Sequence, residues 1–385
     1  MDGQLTEFQR ALQAGVRQFV QQEVIPAASR YDHADEYPQP LVDRMKELGY
    51  FGAVIPEAYG GAGMDAVSFV VLTEELARGW MSLTGTLGGH SMVAWMIHRY
   101  GTEEQRREWL PRMARGEVRC GIGITEADGG SDVAALRTSA RREGTDYIVN
   151  GSKMFITNSE RGTHFGVMVR TNPAADKPHR GISCLLMSRD LPGFRVSRHL
   201  DKMGYRGIRT GELVFEECRV PAACLIGEEN RGFQQLMAGL ELGRIQVAAR
   251  ALGIHRACLE DSLRYAQQRR TMGKPIAEHQ AIQIKLADMA TSLEAARQLT
   301  YHAARLKDAG QRCDLEAGMA KLFASDAAQR ATEAAIHIHG GYGYIKELPV
   351  ERYYRDAPVL QVGEGTNDIQ RIVIARRLVE KYPAE

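Results

Sequence analysis

A carboxylate flanked by glycines stands near the end of the chain, in Gly363-Glu364-Gly365-Thr366-Asn367-Asp368. Glycine on both sides lets the backbone approach a ligand closely and leaves the carboxylate uncrowded. In an apolar site open on one face, such a group can act as a general base. The same pattern also suits a helix start, with Thr366, Asn367 or Asp368 as the cap and Glu364 near the positive end. A second candidate is Glu126–Asp132 (EADGGSD), after an expected strand Ile122–Thr125. Its Gly-rich turn and the Ser131 hydroxyl can face a phosphate or a flavin, or form an ordinary loop. No GxGxxG opens a helix after a strand, so a nicotinamide-type dinucleotide fold is not supported. Arg244 and the run Arg269-Arg270-Thr271 fall on expected helices or at their ends. A guanidinium fork suits pyrophosphate, although a single Arg also suits a solvated helix face. His337 and His339 form His-x-His. On a helix their rings diverge, which favours packing in the core or against a cofactor and argues against a metal site.

These residues need a scaffold, and the texture of the chain changes twice along its 385 residues. Residues 1–118 read as helical. Leu5, Phe8, Leu12, Val16, Phe19 and Val20 recur at spacings that place them on one helix face, and Pro26 is expected to end that run. Phe51–Met64 is a Gly/Pro-rich break, and helix-like content returns over Ala66–Tyr100. Residues 119–229 read as short strands: Tyr147–Val149, Lys153–Thr157, Phe165–Arg170, Ile182–Met187, Phe194–Val196 and Leu213–Phe215. Asn150-Gly151 between two β-prone runs predicts a hairpin turn. Strands at this spacing suggest a small barrel or sandwich. From residue 230 to 385 helices resume, and Ile282, Leu286, Met289, Leu293 and Ala296 mark a bundle seam. The expected fold class is α+β: a helical domain, a β domain and a four-helix bundle.

Composition narrows the partners. With 49 basic and 48 acidic residues the net charge is +1, which calls for neither nucleic acid nor an anionic membrane surface. No long apolar run and no signal-peptide pattern at Met1–Arg10 are present, so a cytoplasmic location is expected. The six cysteines form no CxxC pair and read as small buried hydrophobes in a reducing compartment.

Taken together, the segments resemble the acyl-CoA dehydrogenase family over nearly the whole chain. Ile55–Gly61 (IPEAYGG) is similar to PE-x-YGG, and Ile124–Asp132 (ITEADGGSD) to ITEP-x-AGSD, with Ala127 and Gly129 departing from it. Asn150–Asn158 (NGSKMFITN) matches NG-x-K-x-[WF]-ITN, and Gln268–Ile276 (QRRTMGKPI) is close to ER-x-x-FG-x-PI. His339–Gly343 and Glu364-Gly365-Thr366 complete six ordered motifs. The joint resemblance makes Glu364 the catalytic base, abstracting the α-proton of an acyl-CoA thioester while FAD N5 accepts the β-hydride, giving the trans-2-enoyl product. It implies FAD between the β domain and the bundle. Thr125 and Thr157 would hydrogen-bond the flavin, Phe155 would cover a face, Ser131 would meet a phosphate, and Thr366 would touch the ring. Arg269 and Thr271, with Gly340 and Gly341, would reach the dinucleotide portion from a neighbouring subunit. His337 stands beside them where many relatives carry Gln, and Met272 stands where most carry Phe. A homotetramer built as a dimer of dimers, and an electron-transfer flavoprotein as acceptor, are further implications.

For substrate, the resemblance points to Ser131, Arg244 and Gly363. Many straight-chain relatives carry Tyr before the base, so Gly363 predicts room for a branched, cyclic or bulky acyl group. A minority of the family places its base one residue before the conserved Arg, which here is Gly243 and supplies no carboxylate. Two other reactions remain open on the same fold: dehydrogenation of a carrier-protein thioester, and a flavin monooxygenase or oxidase reaction. Against the second stands Glu364, which flavin monooxygenases of this fold generally lack and nitroalkane oxidases replace by Asp.

Overall fold

The computed structural model describes residues 5–383, so Met1–Gln4 of the Met1–Arg10 segment and Ala384–Glu385 lie outside it. Thr6 opens α1 (Glu7–Phe19) through a reciprocal capping box with Gln9. A π-helical turn at Val20–Val24 carries the chain into α2 (Ile25–Ala34). Pro26 therefore does not end the helical run. It sits in the first turn of α2, where its missing N–H costs little. Val16 and Phe19 are buried as expected, whereas Phe8 is exposed. After α3 (Gln39–Glu47), the Gly/Pro-rich break forms two short 3₁₀ turns. A Cβ at Gly61 would lie 2.0 Å from the Ile55 carbonyl, so that segment of the motif is a tight fold of backbone on backbone. Helices α4 (Ala66–Trp80), α5 (Gly85–Tyr100) and α6 (Glu103–Ala114) follow.

The middle of the chain is one curled sheet of seven strands: β1 (Cys120–Gly123), β2 (Ser139–Glu143), β3 (Asp146–Thr157), β4 (His164–Arg170), β5 (Ile182–Ser188), β6 (Phe194–His199) and β7 (Thr210–Pro221). The order is β1-β4-β2-β3-β7-β6, with β5 on the other side of β4. Asn150-Gly151 makes no hairpin. Residues 146–157 form a single strand, and the register against β7 slips between Val149 and Gly151. Gly151 has φ +139°, and a Cβ there would lie 2.7 Å from Thr138 Cα. The same residue types that close a tight turn thus make a bulge in a continuous strand. The hairpin turn itself is Glu143–Asp146, with Gly144 at φ +61°.

Four long helices, α7 (Gly232–Gln268), α8 (Gln280–Asp308), α9 (Asp314–His339) and, after short helices α10 (Gly341–Tyr344), α11 (Val350–Asp356) and α12 (Pro358–Val362), α13 (Asn367–Lys381), build the last part. Met289, Leu293 and Ala296 of the expected seam are buried in α8, with Ile282 and Leu286 partly so. A two-stranded hairpin, β8 (Arg270–Thr271) with β9 (Lys274–Pro275), joins α7 to α8. Every residue of α4 is buried, and α4 packs on both α7 and α8. Its Glu75 meets Arg256 and Arg17 at 2.8 Å, and its Glu74 meets Arg297 at 2.7 Å. Buried charge here is paired across helices, as it must be where water is absent. All six cysteines are free, and five are buried. No helix among the described residues is long and apolar enough to cross a membrane.

Candidate active site

The short helix α12 ends at Val362, and α13 begins at Asn367, so Glu364 lies on a four-residue corner. Its φ is +55°, a left-handed conformation that costs a non-glycine residue energy and persists only where the surroundings impose it. Those surroundings are specific. Thr366 Oγ1 accepts from Ile369 N and caps α13. Lys321 of α9, fully buried, donates to the carbonyls of Gln361 (3.2 Å) and Gly365 (2.9 Å) and to Asn367 Oδ1 (2.7 Å). Gln370 donates to the Gly365 carbonyl at 3.1 Å. Of the caps the sequence offered, Thr366 takes the role, and Glu364, two residues before it, is left out of the cap with its carboxylate uncommitted.

The Glu364 carboxylate is half-buried, and no group among the described residues donates a hydrogen bond to it or forms an ion pair with it. Burial pushes its carboxyl up from the ordinary range, while the charges of Arg250, Arg244 and Lys321 pull the other way. It lies over α7 at Gly243, where a Cβ would come 2.9 Å from Glu364 Oε2. Arg244 follows on the same helix, 7% exposed, with no hydrogen bond or ion pair among the described residues and its Nε buried without a partner. Gly363 is tight on one side only, a Cβ there meeting the Val359 carbonyl at 3.1 Å.

A second group gathers on the rim of the sheet. Strand β1 stops at Gly123, so Thr125 lies just beyond it, and its carbonyl accepts from Met154 N at 2.8 Å. The register of β3 against β7 slips again between Lys153 and Ile156. This irregularity turns Phe155 outward, with φ +62° and 63% of its surface exposed. Thr157 pairs with Thr210 at the end of the same strand. Ser131 is exposed on the loop that Glu126 anchors. Glu126 accepts from Lys153 Nζ at 2.7 Å, from Thr138 N and Oγ1, and from Arg137 N. Burial opposes its ionisation, but Lys153 and these hydrogen bonds outweigh it and hold Glu126 at about 2. Three residues after Phe155, Asn158 is buried with both amide atoms unpartnered.

The remaining residues are not brought to either place. Arg269, Thr271, His337, Gly340 and Gly341 line a separate open cleft of about 580 Å³ at the β8–β9 end of the bundle. Met272 and Gly273 both have positive φ, which a two-residue hairpin requires, and Met272 projects 93% exposed. His339 is buried, bonded to the Ala335 carbonyl at 2.8 Å and packed on Tyr265, while His337 is exposed. A Cβ at Gly340 or Gly341 would meet nothing within 4 Å, so backbone is open to a ligand there.

The profiles of the N-terminal, middle and C-terminal domains of acyl-CoA dehydrogenase match residues 6–117, 121–218 and 230–379. The chain belongs to the acyl-CoA dehydrogenase family. It is 44% identical to an acyl-CoA dehydrogenase of Bacillus subtilis over 97% of this chain and 99% of that one. It superposes on butyryl-CoA dehydrogenase from Megasphaera elsdenii with a TM-score of 0.95 and 38% identity, over 98% and 100% of the two chains. A structure from work on the electron transferring flavoprotein of Acidaminococcus fermentans matches with a TM-score of 0.96 and 41% identity, again over 98% and 100%. It is an oxidoreductase acting on CH–CH groups, and the family is FAD-dependent. The residues present fit that cofactor: an exposed aromatic ring on strained backbone, buried amide atoms without partners three residues on, and glycine backbone open along a cleft.

Lys321, Gln370, Gln246 and Arg250 were not foreseen. A lone Lys or Arg on an amphipathic helix reads as surface, and only the helix period against a known partner face could have placed these inside.

Proposed function

We propose that this protein converts an acyl-CoA thioester to the trans-2-enoyl thioester, with Glu364 removing the α-proton. The observation that carries this is a carboxylate held on strained backbone by a buried network, without a hydrogen-bond or ion-pair partner among the described residues, with its pKa raised by burial. A base must be ionised to act, and a raised pKa makes it a better proton acceptor once it is. FAD, when bound, supplies the acceptor for the β-hydrogen and its two electrons. Phe155 covers one side of that cofactor, Thr125, Thr157 and Thr366 hydrogen-bond or touch it, and Ser131 holds a phosphate. The cleft with Arg269, Thr271, His337, Gly340 and Gly341 receives the dinucleotide portion bound to a second copy of the chain, in a homotetramer built as a dimer of dimers. Arg244 steadies the site electrostatically, and Gly363 leaves space for a bulky acyl group. An electron-transfer flavoprotein takes the electrons onward, a reading supported by the likeness to the Acidaminococcus structure.

The test is anaerobic titration of the purified flavoprotein with acyl-CoA thioesters. Bleaching by a thioester is expected, and Glu364→Gln should slow it on the order of 10²- to 10⁴-fold. Full bleaching rates in that variant would remove Glu364 from the reaction.

A further inference from the structure

We propose that Arg250 closes the far end of the acyl site and selects an acyl group that carries a carboxylate there. This rests on the dehydrogenase reading above. Helix α7 turns Gly239, Gly243, Gln246 and Arg250 to one side, at spacings of four, three and four. Helix α5 lies against that side. A Cβ at Gly239 would meet Met92 Sδ at 2.5 Å, and one at Gly243 would meet Met92 Cε at 3.2 Å and Glu364 Oε2 at 2.9 Å. A Cβ at Gly88 would meet Arg250 Nη2 at 2.4 Å and Gln246 Oε1 at 3.4 Å. One seam therefore runs from an apolar end at Met92, past Glu364, to a polar end at Arg250.

That polar end is under-satisfied. The one hydrogen bond of Arg250 among the described residues is a long one, from Nη2 to the Thr84 carbonyl at 3.4 Å. Its Nε is buried without a partner, and no carboxylate among the described residues lies within ion-pair distance of it. Gln246 beside it is buried with Nε2 unpartnered. Tyr205 adds a ring on the same side, its hydroxyl 2.3 Å from where a Gly85 Cβ would stand. Arg250 is half-buried, and a guanidinium whose buried Nε has no partner is under-satisfied; a carboxylate fits its planar fork through two N–H donors. An alkyl terminus would cover the cation further and leave it unpaired, an arrangement that disfavours the analogue. Of the cations favouring ionised Glu364, Arg250 acts most strongly. A substrate carboxylate on Arg250 would offset that support and leave Glu364 a stronger base.

The experiment uses the FAD-loaded Glu364→Gln protein, which binds without turnover, and measures calorimetric affinities for glutaryl-CoA and pentanoyl-CoA, matched in carbon count. Glutaryl-CoA should bind at least about tenfold more tightly, and the added change Arg250→Met should abolish or reverse that preference. Arg250→Gln, polar and of similar length, serves if the Met variant does not fold. Equal affinities, or a preference that survives loss of Arg250, overturn the proposal. The two readings fail separately. Flavin of the wild-type protein that pentanoyl-CoA bleaches, without tighter glutaryl-CoA binding, sinks Arg250 alone. Flavin that no acyl-CoA bleaches sinks the dehydrogenase reading.

Discussion

Lys153 and Lys321 are both fully buried, and each holds a loop that carries chemistry, yet they hold by different means. Lys153 sits 2.7 Å from Glu126, and the pair anchors the turn that presents Ser131. Lys321 meets no carboxylate. It holds two carbonyls and an amide oxygen, and the carboxylate whose charge it feels most is Glu364. In both, burial pulls the ammonium down to about 8 against the attraction of an acidic neighbour, so both are charged at neutrality. The lesson is one of where the countercharge lies. In the β domain the charge is cancelled at contact, and Glu126 is withdrawn from chemistry. In the bundle the charge is left to act through space on the proposed base, whose carboxylate makes no hydrogen bond or ion pair among the described residues.

The largest expected effect breaks the first arrangement. Lys153→Met strands a half-buried carboxylate that keeps its bonds from Thr138 and Arg137, and should cost about 2–4 kcal/mol in chemical denaturation, below the loss for a fully buried pair. Because Glu126 has a folded pKa of about 2 against 4.5, its stabilisation is present above pH 4.5 and drains as the pH falls toward 2. That acid limb should flatten in the variant. Lys321→Met leaves neutral acceptors unpaired and should cost about 1–3 kcal/mol. It also removes a cation that favours ionised Glu364, so the acid limb of flavin reduction should move to higher pH. Lys153→Met should leave that limb in place, and an equal shift in both variants would erase the distinction. The smallest effect is at the third tether: Thr366→Ala should cost about 1 kcal/mol through loss of the α13 cap and leave the limb unmoved.

The alternation of helical and β periods made the module order legible, because a switch between periods of 3.6 and 2 needs no tertiary information. Asn150-Gly151 shows the limit. A turn and a bulge ask for the same backbone freedom, and only the unbroken pairing of β3 with β7 decides between them. Pro26 shows another, since a π turn just before it lets the helical path continue. At the candidate site, the glycines around Glu364 suited a base and a helix cap alike, and only the resemblance across six motifs favoured the base. Lys321, 43 positions away in sequence terms and buried beneath Glu364, was not legible: its partners are backbone carbonyls, which leave no residue signature.

Gly243 also constrains how such an enzyme can change. The volume a side chain would need at 243 is the volume the Glu364 carboxylate holds. A carboxylate on α7 at 243 and the proposed base at 364 would therefore compete for one place. A mutational path that moved the base to α7 by Gly243→Glu alone would crowd two carboxylates together, and one would stay protonated. The path has to vacate 364 first, through an inactive intermediate, or change both positions at once.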